Sequence, residues 1–145
     1  MNVLFVCTGN TCRSPMAAAL FNKLSVEKNL NVRIESAGIF AVDGAPASDG
    51  AVSAMKSYAI DLSYHRAKSI TPKLLEKCDL ILTMTESHKN ALLPYAGERV
   101  FTICEYAGIS GDIPDPYGGD LQIYEECAAK LMQVLLKVAE RIGNN

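Results

Sequence analysis

Short apolar runs alternate along the chain with longer stretches in which apolar residues recur every three or four positions. A continuous apolar run is typical of a strand buried on both faces of a parallel sheet, and the spacing of three and four is typical of an amphipathic helix. The predicted strands are residues 2–6, 32–37, 80–83 and 100–102. The predicted helices are residues 15–28, 50–58, 71–76 and 86–93, followed by a long helix from about Tyr124 to the C-terminus.

Several residues mark where these elements begin and end. Pro15 suits the first turn of the first helix, and Thr71 suits the N-cap of the third helix. Pro94 is expected to stop the fourth helix. Residues 105–120 are rich in Gly, Pro and Asp, which predicts a loop.

The alternation of strands and helices predicts the fold class α/β. We expect three layers, with helices on both sides of a central, mainly four-stranded parallel sheet and right-handed crossovers. The chain has no internal repeat, low-complexity tract or linker, so a single domain, 1–145, is expected. Ligands of such sheets bind beyond the carboxyl ends of the strands, which directs attention to the loop after the first strand.

Composition narrows the class of protein further. Hydrophobic residues make up 49% and charged residues 21%, as in soluble globular proteins, and a net charge of −2 gives no general attraction to nucleic acid or membrane. No apolar run approaches the roughly 18 residues that span a bilayer, and no signal peptide is evident. The 5 cysteines suggest free thiols in a reducing cytoplasm, and 2 histidines without a Cys-x-x-Cys pair argue against zinc.

The loop after the first strand, residues 7–14, has the sequence Cys-Thr-Gly-Asn-Thr-Cys-Arg-Ser. A strand–loop–helix junction directs backbone N–H groups and the positive helix end into one small volume, which favours an anion. We expect the helix end and Arg13 to stabilise a thiolate at Cys7. The planar guanidinium of Arg13 can hold two oxygens of a phosphate. The loop therefore predicts phosphoryl transfer through a phosphocysteine.

Hydrolysis by this route also needs an acid that protonates the departing group. The sequence Asp115-Pro116-Tyr117 in the late loop supplies one, with Asp115 as acid and then as the base that activates water. Tyr117 would form an apolar wall against the substrate. Asp115 also fits a plain turn residue before proline.

Together these motifs resemble those of the low-molecular-weight protein tyrosine phosphatases, over the whole chain. The matching stretches are residues 6–15, 36–38, 63–67 and 115–117. The resemblance implies that Cys7 is the nucleophile, that Arg13 binds the phosphate and that Asp115 is the general acid and base. It further implies phosphorylated proteins as partners, and no metal or organic cofactor.

The resemblance assigns the other site residues to the support of this chemistry. The implied phosphate-binding loop comprises Thr8, Gly9, Asn10, Thr11, Cys12, Arg13 and Ser14. Ser14 would donate a hydrogen bond to the Cys7 sulfur and make it a better leaving group. Cys12 matches a position that forms a reversible disulfide with the nucleophile under peroxide. The residues that hold the loop in shape would be Asn10, Ser36 and His65.

One loop residue points to a subclass. Tyrosine phosphatases usually carry a larger aliphatic residue where this chain has Thr11, whereas the sequence around it resembles that of bacterial protein-arginine phosphatases. Threonine is shorter and adds a hydroxyl beside the guanidino group, and Asp115 can bind a guanidinium with both oxygens. Phe40 is a candidate for a second wall beside Tyr117. Phosphoarginine is therefore preferred to phosphotyrosine as the substrate.

Simpler roles remain open for several of these residues. Cys7 and Cys12 could serve only as small buried apolar residues. Ser14 could be a helix N-cap, and Phe40 could be an exposed aromatic residue of a loop. His65 fits a structural histidine. The apolar setting of four further residues favours the core: Cys78, Cys104, Tyr124 and Cys127.

Two other functions use a similar cysteine loop. Arsenate reductases relay oxidation through a closely spaced cysteine pair, which this chain lacks near Cys78. Sugar-transport phosphocarriers hold phosphate on cysteine but lack the equivalents of Arg13 and Asp115. The leading prediction is a cytoplasmic phosphoprotein phosphatase that is a monomer or weak homodimer.

Overall fold

A computed structural model describes residues 1–144, so Asn145, the last residue of the predicted domain, lies outside the described residues. The strands are β1 (Asn2–Cys7), β2 (Arg33–Gly38), β3 (Leu80–Thr83) and β4 (Val100–Thr102). The helices are α1 (Arg13–Glu27), α2 (Asp49–Lys56), α3 (Pro72–Lys77), α4 (Glu86–Ala96), α5 (Ile103–Tyr106) and α6 (Leu121–Gly143). A short 3₁₀ helix, Gly97–Arg99, lies between α4 and β4.

The strands form one parallel sheet in the order β2-β1-β3-β4, so β1 lies in the interior between β2 and β3. Its side chains alternate between two cores. Phe5 packs with α1, α2 and α6 on one face, whereas Leu4 and Val6 pack with α3 and α4 on the other. The predicted three-layer α/β fold with a four-stranded parallel sheet is therefore confirmed.

The carboxyl ends of β1 and β2 lie side by side, with Cys7 paired to Gly38. A Cβ atom at Gly38 would stand 2.5 Å from the carbonyl oxygen of Thr8 and 3.0 Å from the amide nitrogen of Asn10. The absence of a side chain there lets the loop after β1 lie directly against β2. The packing of the sheet thus fixes the position of the loop.

The first helix begins earlier than predicted. It starts at Arg13, with Cys12 as the N-cap, and Pro15 falls within the first turn, where a backbone N–H has no helical partner in any case. Ser14 therefore lies inside the helix, and the hypothesis that it is the N-cap is wrong. The Thr71 cap of α3 is confirmed, because its hydroxyl accepts the amide N–H of Leu74.

Two further boundaries differ from the prediction. Helix α4 continues through Pro94 to Ala96 and ends at Gly97, whose φ is 55°. A proline this close to a helix end removes a single hydrogen bond, which the flanking turn tolerates. The predicted loop from residue 105 begins inside α5, because Thr102 and Glu105 form a reciprocal capping box.

None of the helices in the described part of the chain is long and apolar enough to cross a membrane.

Gly50, in α2, should not tolerate a side chain, because an added Cβ would overlap the ring of Tyr124 on α6. We expect Gly50→Ala to lower the free energy of unfolding by about 1–3 kcal/mol through overpacking, despite the better helix propensity of alanine. Urea unfolding measures the change. The matched control Ser53→Ala, in the same helix, should stay within about 0.5 kcal/mol. An equal effect of the two substitutions would contradict the packing argument.

Candidate active site

Cys7 lies at the floor of the loop between β1 and α1 and is only 3% exposed. The amide N–H of Asn10 points at its sulfur, with the nitrogen 3.3 Å from Sγ. Ser14 Oγ lies 2.8 Å from the same sulfur. Because Ser14 Oγ already accepts a hydrogen bond from Asn10 Nδ2 (2.8 Å), its own proton is free to be donated to Cys7. The predicted Ser14–Cys7 contact is thus present in the structure.

Asn10 shapes the loop with both its backbone and its side chain. Its φ is 57°, a left-handed conformation that asparagine tolerates better than most residues. Its Oδ1 accepts the Lys68 amide N–H (3.0 Å), which orients the side-chain amide so that Nδ2 faces Ser14 and Ser36. Nδ2 donates to Ser36 Oγ as well, at 3.0 Å. Asn10 is completely buried, so these bonds are shielded from water.

His65 holds the backbone of the same residue. Its Nε2 lies 2.7 Å from the carbonyl oxygen of Asn10 and must donate, because a carbonyl can only accept. Burial, together with nearby Arg66 and Lys68, lowers the pKa of His65 below its ordinary value of 6.5. The predicted support group of Asn10, Ser36 and His65 is thus brought together around the loop.

Arg13 joins the loop after β1 to the late loop. Its guanidinium is buried, and Nη1 donates to the carbonyl oxygen of Ile113 at 3.0 Å. The amide N–H of Ile113 in turn donates to the carbonyl oxygen of Met84, just after β3, at 2.9 Å. The late loop is therefore fixed at Ile113, and the residues that follow lie over the cavity.

Asp115 reaches Arg13 from this late loop. Its Oδ2 lies 3.7 Å from Arg13 Nη2, which is an ion pair but not a hydrogen bond. The Asp115 side chain is 52% exposed, so the pair adds little to stability. Its Oδ1 accepts the Tyr117 amide N–H at 3.1 Å, which is the turn geometry expected of aspartate before proline. The turn role and a position at the cavity therefore coexist.

A cavity of about 240 Å³ lies above the Cys7 sulfur. Its lining residues are Cys7, Thr8, Gly9, Thr11, Cys12, Arg13, Asp115 and Tyr117. Phe40 lies outside this set. Its backbone N–H donates to the Thr8 carbonyl (2.9 Å), but its side chain is 79% exposed and does not line the cavity. The interpretation of Phe40 as a cavity wall is not supported, and the exposed loop aromatic describes it better.

Cys12 is the N-cap of α1, and its sulfur lies where α1, α2 and α6 meet. Its Sγ is 3.3 Å from Ser48 Oγ and 3.4 Å from the Tyr124 hydroxyl. Tyr124 is buried as predicted, and burial raises its pKa to about 12. Cys7 and Cys12 are free thiols, so their reversible disulfide stays a prediction.

The other cysteines belong to the core, as predicted. Burial raises the pKa of the Cys78 and Cys104 thiols and raises that of Cys127 to about 12. Within the 144 residues that the structure describes, no cluster of His, Cys, Asp and Glu side chains could hold a metal ion.

His88 is the residue that the sequence interpretation missed. It lies in the first turn of α4, with Nε2 2.8 Å from Thr8 Oγ1 and Nδ1 3.0 Å from Thr85 Oγ1. Burial and the charge of Arg13 lower its pKa from 6.5 to about 4, so the ring is neutral at pH 7. The sequence did contain an indication of this role. His88 follows the carboxyl end of a buried strand, which is where ligands of parallel sheets bind.

Comparison with known proteins agrees with this geometry. Residues 2–145 match the family model described as low molecular weight phosphotyrosine protein phosphatase. The chain belongs to this family. It is therefore a protein phosphatase, as its resemblance to that family implied.

Relatives in the family carry two different names. A protein-arginine-phosphatase of Bacillus subtilis (strain 168) is 41% identical, covering 98% of this chain and 97% of that protein. A low molecular weight protein tyrosine phosphatase from T. tengcongensis, known from a crystal structure, is 46% identical in sequence. The match has a TM-score of 0.93 and covers 97% of this chain and 98% of that chain.

The solved structure of a third relative contains a phosphorylated residue. That relative is the YwlE arginine phosphatase, solved as a cysteine-to-serine mutant with a phosphorylated active-site serine. It is 40% identical with a TM-score of 0.96 and covers 100% of this chain and 97% of its own.

Replacement of Asn10 should separate backbone strain from hydrogen bonding. Asn10→Ala leaves the Lys68 amide without its acceptor and removes both donors to Ser36 and Ser14, so we expect a loss of about 2–4 kcal/mol in unfolding free energy. Asn29 has a similar φ of 55° but is exposed, which makes Asn29→Ala the matched control at about 1 kcal/mol. Urea unfolding compares the two variants. Equal losses would show that the side-chain bonds contribute nothing.

The lowered pKa of His88 should make stability depend on pH. Between pH 6.5 and 4 the unfolded chain protonates this histidine while the folded protein does not, so unfolding free energy falls as pH falls. The contribution of His88 to the change of unfolding free energy with pH should reach up to about 1.4 kcal/mol per pH unit. Urea unfolding from pH 7 to 5 tests this, and His88→Gln should lose that slope while the contribution of His65 persists. An unchanged slope in His88→Gln would refute the assignment.

Proposed function

We propose that this protein phosphatase hydrolyses phosphoarginine residues of proteins through a phosphocysteine on Cys7. The observation that carries the proposal is the single cavity in which the Cys7 thiol, the buried Arg13 guanidinium and the Asp115 carboxyl group meet. These groups supply a nucleophile, an oxyanion ligand and a proton donor, which are the parts that phosphoryl transfer requires.

In the first step the Cys7 thiolate attacks phosphorus while the bond from phosphorus to the guanidino nitrogen breaks. The electron pair of that bond stays on nitrogen, which takes a proton from Asp115. Arg13 and the loop amides stabilise the charge on the phosphoryl oxygens. The arginine side chain leaves in its unphosphorylated form.

In the second step a water molecule attacks phosphorus and gives a proton to the Asp115 carboxylate. The bond between sulfur and phosphorus breaks, its electron pair returns to Cys7, and inorganic phosphate leaves. The Ser14 hydroxyl, 2.8 Å from Sγ, stabilises the departing thiolate. The side chains and backbone amides of the loop and Asp115 supply every group that these two steps use.

The lining of the cavity favours a guanidino group over a phenyl ring. Tyr117 is the one aromatic side chain among the lining residues in the described part of the chain, and it is 78% exposed. Thr11 contributes a hydroxyl, and one oxygen of the Asp115 carboxyl group can accept an N–H bond from the guanidino group while the other donates the proton. A phenyl ring would gain most from aromatic partners, and Tyr117 is the one that this lining supplies among the described residues.

The substrates of this activity are phosphorylated proteins, and we place the protein in the cytoplasm. Free thiols in all 5 cysteines support a reducing compartment. Phosphotyrosine is the second candidate substrate, because a tyrosine phosphatase relative shares 46% identity with this chain.

Substitution at Thr11 tests the choice of substrate. We expect wild type to have the higher kcat/KM for a phosphoarginine peptide than for a matched phosphotyrosine peptide. Thr11→Ile fills the cavity and removes the hydroxyl, so it should lower kcat/KM for phosphoarginine about tenfold or more and reverse the preference. Thr11→Val, which keeps the shape of threonine, separates the loss of the hydroxyl from the added bulk.

Two results would overturn parts of the proposal separately. A wild-type preference for phosphotyrosine would reject the arginine assignment and leave the mechanism standing. Turnover by Cys7→Ser at the wild-type rate would reject the phosphocysteine mechanism for either substrate. Both measurements use the same peptides and the same release of inorganic phosphate.

A further inference from the structure

The mechanism above makes no use of His88, although its imidazole is nearly fully buried and hydrogen bonded to a residue of the cavity. It is 7% exposed, and its Nε2 lies 2.8 Å from the hydroxyl of Thr8, which lines the cavity beside Cys7. A buried neutral histidine with both nitrogens occupied by hydroxyl groups imposes a direction on those hydrogen bonds. The donors and acceptors, together with the different exposure of the two hydroxyl groups, determine that direction.

A neutral imidazole has one N–H donor and one acceptor nitrogen. One of its two threonine partners must therefore accept a hydrogen bond from His88, and the other must donate to it. The Thr85 hydroxyl already accepts the backbone N–H of His88 at 3.2 Å. The Thr85 hydroxyl uses both its acceptor and its donor when it donates its proton to Nδ1, at 3.0 Å.

With Nδ1 as acceptor, Nε2 carries the proton and donates to Thr8 Oγ1. In the opposite arrangement Thr85 would accept two hydrogen bonds, and its own proton would have no acceptor among the described residues. Each arrangement leaves one threonine proton unpaired, and this costs less at the exposed Thr8, which water reaches, than at the half-buried Thr85. When Thr8 accepts from Nε2, its hydroxyl proton has no acceptor among residues 1–144 and is available to the cavity that Thr8 lines.

We propose that His88 is a positioning residue that directs the hydroxyl proton of Thr8 into the cavity, so that Thr8 donates a hydrogen bond to the phosphoryl group. The proposal rests on the cavity being the phosphate site and does not depend on whether the leaving group is arginine or tyrosine. Thr8 becomes a side-chain donor in addition to the loop amides and Arg13. A donor that is oriented before the substrate binds stabilises developing charge without the cost of ordering it.

The surroundings of His88 keep its ring in place. Thr85 is the N-cap of α4, and the next residue, Glu86, donates its amide N–H to Asp112 Oδ1 at 3.0 Å. The first turn of α4 is thus attached to the late loop as well as to the end of β3. Thr8 itself is exposed and belongs to a loop, so its hydroxyl would otherwise rotate freely.

The tautomer of His88 can be observed in the wild-type protein. The proposal requires a proton on Nε2 and none on Nδ1, which the ¹⁵N chemical shifts of the ring distinguish at pH 7. His65 is also expected as the Nε2–H form, because it donates to a carbonyl, and His65→Gln identifies its signals. A proton on Nδ1 of His88 would overturn the proposal, whatever the behaviour of any variant.

The kinetic test uses para-nitrophenyl phosphate, which reports on phosphate chemistry without a guanidino leaving group, and orthovanadate as an oxyanion inhibitor. Thr8→Val keeps the shape of threonine and removes the donor, so kcat/KM should fall about tenfold and the vanadate inhibition constant should rise by a similar factor. Thr8→Ser, which keeps the hydroxyl, should stay within about threefold of wild type.

Variants of His88, alone and combined with Thr8→Val, make up a double-mutant cycle. His88→Asn is too short to reach Thr8 and should lose about tenfold in kcat/KM, whereas the amide of His88→Gln can occupy the place of Nε2 and should restore most of it. The double variant Thr8→Val with His88→Asn should be no worse than Thr8→Val alone, because both act through one hydroxyl. A general loss of structure would instead multiply the two effects.

Multiplied losses in the double variant, or full activity of Thr8→Val, would each overturn the proposal. Urea unfolding identifies any variant that fails to fold, and in that case the wild-type tautomer and the comparison of Thr8→Val with Thr8→Ser decide. Wild-type turnover by Cys7→Ser would reject the phosphocysteine mechanism instead, so the two failures are distinguishable.

Discussion

The site depends on one backbone constraint, the left-handed conformation of Asn10 at a φ of 57°. This conformation turns the loop so that the Asn10 amide points at the Cys7 sulfur rather than away from it. Three hydrogen bonds maintain it. The side chain of Asn10 bonds to Lys68 and Ser36, and its carbonyl oxygen accepts from His65. An anion site made of backbone amides is only as rigid as the conformation that orients them.

The scaffold and the site share the same residues. Gly38 ends β2, and its missing side chain leaves room for the carbonyl of Thr8. Cys12 caps α1 while its sulfur contacts Ser48 and Tyr124, so two more helices pack directly behind the loop. Residues of β2 and α6 and the N-caps of α1 and α2 therefore surround this short loop.

Much of the fold and the centre of the site could be predicted from sequence, because both depend on local patterns. The apolar run before Cys7 and the helix after it place the thiol at a strand end, and Arg13 and Asp115 follow from the chemistry that a thiolate requires. The Ser14–Cys7 contact and the support by Ser36 and His65 came from resemblance to a family, since no local pattern brings residues so distant in sequence together.

The errors have identifiable physical causes. Pro94 was expected to end α4, but a proline in the last turn costs too little to do so. The sequence contains the capping box of Thr102 and Glu105, but the glycines and prolines that follow it led to the prediction of a loop from residue 105. His88 was missed because its partner, Thr8, lies 80 residues away, and only the sheet order brings them together.

The attachment of the late loop has a consequence for how this protein can evolve. Both hydrogen bonds that fix the loop at Ile113 use its backbone, one to Met84 and one from Arg13. The attachment at Ile113 therefore does not depend on which side chain Ile113 carries, whereas the bond from the Glu86 amide to Asp112 does depend on a side chain. Substitutions at Ile113 that keep its backbone in place would therefore leave the loop, and with it Asp115 and Tyr117, over the cavity.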